Sequence, residues 1–183
     1  SISFAFLANA SAWLKLYHPA AFLAGLLGAQ PMGFYTPQSL VHDARRRGVT
    51  VLPVDINQSA ADATLDPVAA DQPRTPAVRL GLTAVRGISD SLAGAIVAAR
   101  TAGGPFGSLT DLTARARLDE KQLEALATAG AFQSLDASRR GARWAAGTAA
   151  RHRPGQLDAP TEPEPPPLPG MSRQELLAAD LWS

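Results

Sequence analysis

Cysteine is absent from the 183 residues, which removes disulfides, zinc-thiolate sites and cysteine nucleophiles and suits a reducing compartment. Aromatic residues are scarce, at 6%, although 46% of the chain is hydrophobic. Alanine does much of the filling, so burial is expected to come from closely packed helices rather than large rings. Long apolar runs are missing too. None approaches the length a membrane helix needs, and the first residues lack the basic, apolar and small-residue zones of a signal peptide. A soluble, cytoplasmic protein with no membrane partner is expected. An initiator methionine is also lacking. SISFAFLANASAWLK runs directly into amphipathic helix and LLAADLWS stops inside an apolar pattern, so the chain is expected to belong to something longer.

Net charge is only +1, but it is unevenly placed. Residues 79–153 carry eleven basic against six acidic groups, and residues 154–183 carry one against five. Fifteen of the seventeen cations are arginine. Arginine suits bidentate phosphate contacts, and an Ala- and Arg-rich chain equally reflects coding bias.

FLANASAWLKLY and PAAFLAGLLGA read as two helices with a joint at Pro19, a residue tolerated in a first helical turn. QPMGFY is a turn. TPQSLVHDARRRG is signalled at both ends, with Thr36 as N-cap, Pro37 at the first position, three arginines in the last turn and then Gly48. VTVLPVDIN, β-branched with a proline, suits an edge strand. QSAADATLDPVAADQPRTP is a polar, Pro-punctuated loop, and AVRLGL resumes order as a short strand. From there the chain is expected to be helical to about residue 150. RHRPGQLDAPTEPEPPPLPG holds too much proline to pack and reads as an extended linker. Ser172 and Glu175 then stand at capping-box spacing before another helix.

The stretch AVRGISDSLAGAIVAAR carries the clearest functional signal. Leu82, Val85, Ile88, Leu92, Ala93, Ile96 and Val97 recur at steps of three and four around one glycine, a helix-turn-helix rhythm. Gly87 permits positive φ in a tight hairpin, Ile88 can plug the gap between helices, and Ser89 can cap the second helix. The unpaired amides of the hairpin and first turn would face outward, where the aligned peptide dipoles favour an anion. A DNA phosphate is the natural guest, with Arg86 adding charge. Arg86, Gly87, Ile88, Ser89, Asp90 and Ser91 are therefore the candidate DNA-binding residues. The same residues also suit a plain turn glycine in a packed bundle.

A second unit, GSLTDLTARARLDEKQLEALATAGAF, places Ser108 and Asp111 at capping-box spacing, turns at Ala116–Leu118 and restarts with Asp119 and Gln122. It lacks a turn glycine, and Asp119 and Glu120 oppose a phosphate, so it is expected to be structural. Arg115, Arg117 and Lys121, with Arg45 and Arg46 at the end of the earlier helix, are candidate DNA-backbone contacts. The Arg45–Arg47 run first satisfies a helix dipole. His18 and His42 suit surface or capping roles, and Asp43, Asp55 and Asp62 form no paired two-metal site.

The Leu82-to-Arg100 pattern resembles the helix-hairpin-helix motif, with Ser89 where that motif more often has a second glycine. Taken in order, ASAWLKLYHPAAFLAGLLGAQPMGFYTPQSLVHDARRRGVTVLPVDINQS, AVRLGLTAVRGIS and PFGSLTDLTARARLDEKQLEALATAGAF resemble the alpha subunit of bacterial DNA polymerase III, the C-family polymerases, on the side of their error-prone translesion paralogue. The resemblance covers residues 4 to about 145, plus the helix after the linker. It implies a mainly α fold with a few short strands. Residues 1–60 would be the C-terminal part of the fingers region, 61–76 a flexible loop and 77–150 a tandem helix-hairpin-helix DNA-binding domain. Residues 151–183 would be a Pro-rich linker and the start of a helix toward an OB-fold domain. It implies duplex primer-template DNA as partner, with accessory translesion proteins and the sliding clamp reached through the parent protein. The palm aspartates lie upstream in that family, so no catalytic residue, metal or cofactor is expected in this segment, while magnesium is expected for the parent polymerase. Two other readings are a stand-alone helix-hairpin-helix repair module and a protein-interaction scaffold.

Overall fold

In the computed structural model, residues 2–31, 35–66 and 76–135 are described. The expected helical stretch at 136–150, the Pro-rich linker, the helix at Ser172 and the centre of the QPMGFY turn lie outside them.

Helices α1 (Ile2–Tyr17) and α2 (Pro19–Gly28) meet at His18. Pro19 takes the first position of α2, where an N–H would be unpaired anyway. His18 occupies the N-cap position, yet its ring makes no capping bond and instead lies 5.3 Å from the Trp13 ring. Helix α3 (Pro37–Arg46) is capped as its sequence dictates. Thr36 Oγ1 accepts from the Ser39 N–H at 3.2 Å, and Gly48, at φ +83, follows its C-terminal end.

Three short strands follow, in the order β1-β3-β2. Strand β1 (Val51–Leu52) lies at the edge, parallel to β3 (Ala77–Arg79), and β2 (Thr64–Asp66) runs antiparallel to β3. The segment 61–76 is thus not loop throughout, because Thr64–Asp66 adds a strand. What holds β2 is invisible to local pattern. Arg79 on the central strand makes a bidentate pair with Asp66, Nη2 to Oδ2 at 2.7 Å and Nε to Oδ1 at 3.2 Å.

The described residues pack around two cores. The smaller joins Ala20 and Leu23 of α2, Ala44 of α3, Val49 and Val78 of β3. The larger belongs to the helical unit: a short 3-10 helix (Leu82–Ala84), α4 (Asp90–Gly103), α5 (Leu109–Ala116), α6 (Glu120–Thr128) and a closing 3-10 turn (Gln133–Leu135). Its core includes Leu82, Ile88, Ile96, Phe106, Leu112, Leu123 and Phe132, and also Val54 and Ile56. The helical unit therefore starts near residue 54, ahead of the position 77 suggested by sequence.

A buried polar knot explains that early start. The Asp55 carboxylate accepts from the N–H of Asn57 at 2.8 Å and of Ser134 at 3.0 Å. Asn57 pairs with both main-chain groups of Phe106, Oδ1 accepting at 2.7 Å and Nδ2 donating at 3.0 Å. The Ile56 N–H donates to Ala131 at 2.9 Å, while Arg100 of α4 donates to the Ile56 carbonyl at 2.8 Å. Burial pushes the Arg100 guanidinium below its ordinary value, with Asp55 opposing. The side chains of Asp55, Asn57 and Arg100 thus all have partners, as burial demands.

Candidate nucleic-acid interface

Gly81 shapes the approach to the first hairpin. A Cβ there would lie inside the main chain of Ala61 and Asp62, 2.6 Å from Asp62 Cα, so only glycine fits. Immediately beyond it, Leu82 N–H donates to Ala60 and Thr83 N–H to Ala61. With Leu82 and Thr83 held in this way, the first limb is only one 3-10 turn rather than a full helix.

The Ile88 N–H then donates to the Val85 carbonyl at 3.0 Å, with Gly87 at φ +92. Positive φ at the third residue of a four-residue turn is the type II pattern, which favours glycine. Ile88 turns inward and is buried, sealing the corner against the core. Ser89 caps α4, its Oγ accepting from the Leu92 N–H at 3.3 Å and lying 3.0 Å from Ser91 Oγ.

Of the six candidate residues, Arg86, Gly87, Ser89, Asp90 and Ser91 are exposed on one corner. Among the described residues, no acceptor is found for the main-chain N–H of any of these five. Such a row of free donors at the N-terminus of a fourteen-residue helix is suited to an anion. Arg86 adds one positive charge beside it. The Asp90 carboxylate, on the first residue of α4, would repel an anion held at the same corner.

The second hairpin repeats the first thirty positions later. Leu82 and Leu112, Ile88 and Leu118, Ala93 and Leu123, and Ile96 and Leu126 are matching buried pairs. Ser89 corresponds to Asp119, each capping the third residue of its helix. Gly87 corresponds to Arg117, which adopts the left-handed conformation at φ 54 and ψ 46 without being glycine. Here the capping box closes in both directions, Asp119 Oδ1 accepting from Gln122 at 2.8 Å and Gln122 Oε1 from Asp119 at 2.9 Å. The donor that Ser89 leaves free is thus occupied at Asp119. Arg117 and Lys121 are exposed at this corner.

Arg115 is not available as a backbone contact. Its Nη1 meets Asp111 Oδ2 at 3.0 Å, its Nη2 donates to Ala99 and Gly104 carbonyls at 2.6 and 2.8 Å, and its guanidinium lies 4.5 Å from the Phe106 ring centroid. It satisfies the carbonyls at the end of α4. The same pull redirects Asp111, so Ser108 caps Asp111 but Asp111 accepts from Gly107 and no reciprocal box forms. Arg45 and Arg46 are exposed at the end of α3. Arg46 is within 3.4 Å of Asp43.

Sequence reasoning missed Gly81 and the Asp55–Asn57 knot. The tripeptides Leu-Gly-Leu and Asp-Ile-Asn gave no local signal of contacts made across tens of residues. Among the described residues, no group of three or more His, Asp or Glu gathers as a metal site, and no helix is long and apolar enough to cross a membrane.

A family model described as the helix-hairpin-helix motif matches residues 48–142, a span that takes in Val54, Ile56 and both hairpins. The chain belongs to the helix-hairpin-helix family. It is also similar, over 87–100% of its length, to proteins named error-prone DNA polymerase. That of Mycolicibacterium paratuberculosis is 56% identical over 184 residues, covering 100% of this chain and 16% of the relative. That of Nocardia farcinica is 54% identical over 193 residues, with the same two coverages. That of Burkholderia mallei is 54% identical over 166 residues, covering 87% of this chain and 15% of the relative. The helix-hairpin-helix chain thus spans about a sixth of the length of these relatives.

Proposed function

We propose that this chain is a segment of an error-prone DNA-directed DNA polymerase and that it holds duplex primer-template DNA irrespective of sequence. The observation that carries the reading is the corner at Gly87, where five exposed main-chain N–H groups from Arg86 to Ser91 lack a protein acceptor among the described residues. A backbone phosphate accepts from such amides without contacting a base, so the grip carries no sequence information. Arg86 contributes the salt-dependent part. Arg117 and Lys121 at the second corner, with Arg45 and Arg46 on α3, supply further charge along the backbone.

The parent enzyme would extend a primer by nucleotidyl transfer in translesion repair synthesis in the cytoplasm, and would meet the sliding clamp and accessory proteins through its other parts. Magnesium belongs to that parent chemistry. Of the acids here, Asp43 is tied to Lys15 and Arg47 and Asp55 is committed to two main-chain donors.

The test compares Gly87→Asp with Gly87→Asn on duplex DNA across a salt series. Both side chains tolerate positive φ better than most, so their difference reports charge at the corner. The aspartate should bind roughly 10–100-fold more weakly than the asparagine, the worth of a charge-assisted hydrogen bond. Its slope of log affinity against log salt should fall by about one phosphate's share. Equal affinities and slopes for the two variants would remove the corner from the interface.

A further inference from the structure

We infer that Asp90 makes the Gly87 corner selective for phosphate that belongs to a polymer. Its carboxylate turns away free, multiply charged phosphates, while a duplex still holds through its other contacts. The inference rests on the reading of this corner as a phosphate grip and names what the grip excludes. Asp90 is the first residue of α4 and is exposed among the open main-chain donors of Arg86, Gly87, Ser89 and Ser91. Among the described residues, no ion pair or hydrogen bond engages the side chain of Asp90, and none engages that of Arg86. The corner therefore presents one unpaired cation and one unpaired anion with a single set of amides.

That carboxylate acts unequally on different phosphates. A free phosphate carries more than one negative charge at neutral pH, so its repulsion by Asp90 is larger, and it has no second point of attachment. A backbone diester carries one charge and is joined to neighbours within reach of further contacts, such as exposed Arg117 and Lys121. The loss at one point is then offset by the effective concentration that the other contacts provide. A repulsive group that hinders the wrong ligand more than the right one is a source of specificity. An acid in a first helical turn also stabilises its helix through the dipole, as Glu120 does at the matching position of α6, behind a closed Asp119–Gln122 box. The dipole role and the selective role make different predictions for Asp90→Asn.

The test follows the amide signals of Gly87, Ser89 and Ser91 by NMR in the whole 183-residue chain, titrated with inorganic phosphate and separately with a mixed-sequence duplex at low salt. In the wild type the duplex should move these signals and millimolar phosphate should leave them nearly still. In Asp90→Asn, phosphate should move them with an affinity raised at least about fivefold, the worth of one nearby charge at a protein surface, and should compete with the duplex. Asp90→Ser, which also removes the charge, should behave alike, and Asp90→Glu, which keeps it, should still exclude phosphate. Glu124→Gln makes the same change in net charge on α6 and should not open the corner. A dipole role alone would lower Tm by about 1–4 °C in Asp90→Asn and leave the phosphate response unchanged. The inference is overturned if phosphate does not distinguish the wild type from Asp90→Asn, or if Glu124→Gln gains as much. A duplex that leaves the wild-type signals still removes the phosphate grip and this inference with it, whereas a duplex that moves them while phosphate treats both chains alike removes this inference only.

Discussion

Replacing Gly81 by alanine asks the fold to admit one methyl group where main chain already stands. Gly81 has an ordinary φ of −77, so the substitution carries no dihedral strain and its cost is contact alone. The neighbours are backbone atoms of Ala61 and Asp62, which cannot rotate aside as the tip of a side chain would. Separation of the two segments is the remaining response. It strains the bonds from Leu82 N–H to Ala60 at 2.9 Å, Thr83 N–H to Ala61 at 3.1 Å and Thr83 Oγ1 to Ala61 at 2.9 Å. At about 1 kcal/mol net for each bond, plus overpacking of about 1–3 kcal/mol partly relieved by the same movement, the loss is about 3–5 kcal/mol. For a chain of this length that corresponds to roughly 6–20 °C in Tm. Gly87→Ala is the control, since its Cβ meets nothing within 4 Å. It incurs only positive-φ strain, about 1–2 kcal/mol, less the gain of about 0.4–1 kcal/mol from a stiffer unfolded chain. Urea and thermal unfolding followed by circular dichroism would rank the two. Equal midpoints, or a Gly81→Ala loss below that of Gly87→Ala, would refute the steric account of the seam.

Arg117→Gly should stabilise the fold by up to about 1 kcal/mol, since the left-handed strain of a side chain exceeds the entropy cost of glycine; a lower urea midpoint would contradict it. Asn57→Ala leaves the buried Phe106 N–H without its acceptor and should cost about 2–4 kcal/mol, whereas Asn57→Asp keeps that acceptor but turns a carboxylate toward the Phe106 carbonyl. Both should melt early, with hydrogen exchange at Phe106 the sensitive readout. Hydrogen bonds from Lys15 and then Arg47 hold the Asp43 carboxyl at about 2, below its ordinary 3.8. A folded value below the unfolded one means the stabilisation is complete above about pH 4 and is lost as pH falls through about 2. Asp43→Asn should therefore flatten the acid limb of stability between those values, and an unchanged limb would contradict the assignment.

Much of this architecture could be read locally. Thr36, Ser89, Ser108 and Asp119 each cap the helix that their spacing indicated, because a cap is settled within four residues. The Gly87 corner was legible for the same reason, as a turn needing positive φ inside an apolar period. Arg115 was not. Asp111 lies one turn back on its own helix, but the Ala99 and Gly104 carbonyls come within reach only after α4 and α5 pack, so an arginine on an amphipathic helix looked free. The pairing of Arg79 with Asp66 that fixes β2, and the reach of Asp55 to Ser134 across the helical unit, depend likewise on contacts no periodicity encodes. The shortened first limb follows from Gly81, whose close approach to Ala61 becomes visible only in three dimensions.

The knot around Asp55 has a mechanical consequence. Tension between the α1–α3 unit and the helical unit would enter near residue 53. The bonds from Ile56 to Ala131, Asp55 to Ser134 and Asn57 to Phe106 would then share the load at once instead of opening one after another. Under force the helical unit should yield as a single block, keeping the Gly87 corner in shape until the whole attachment gives way.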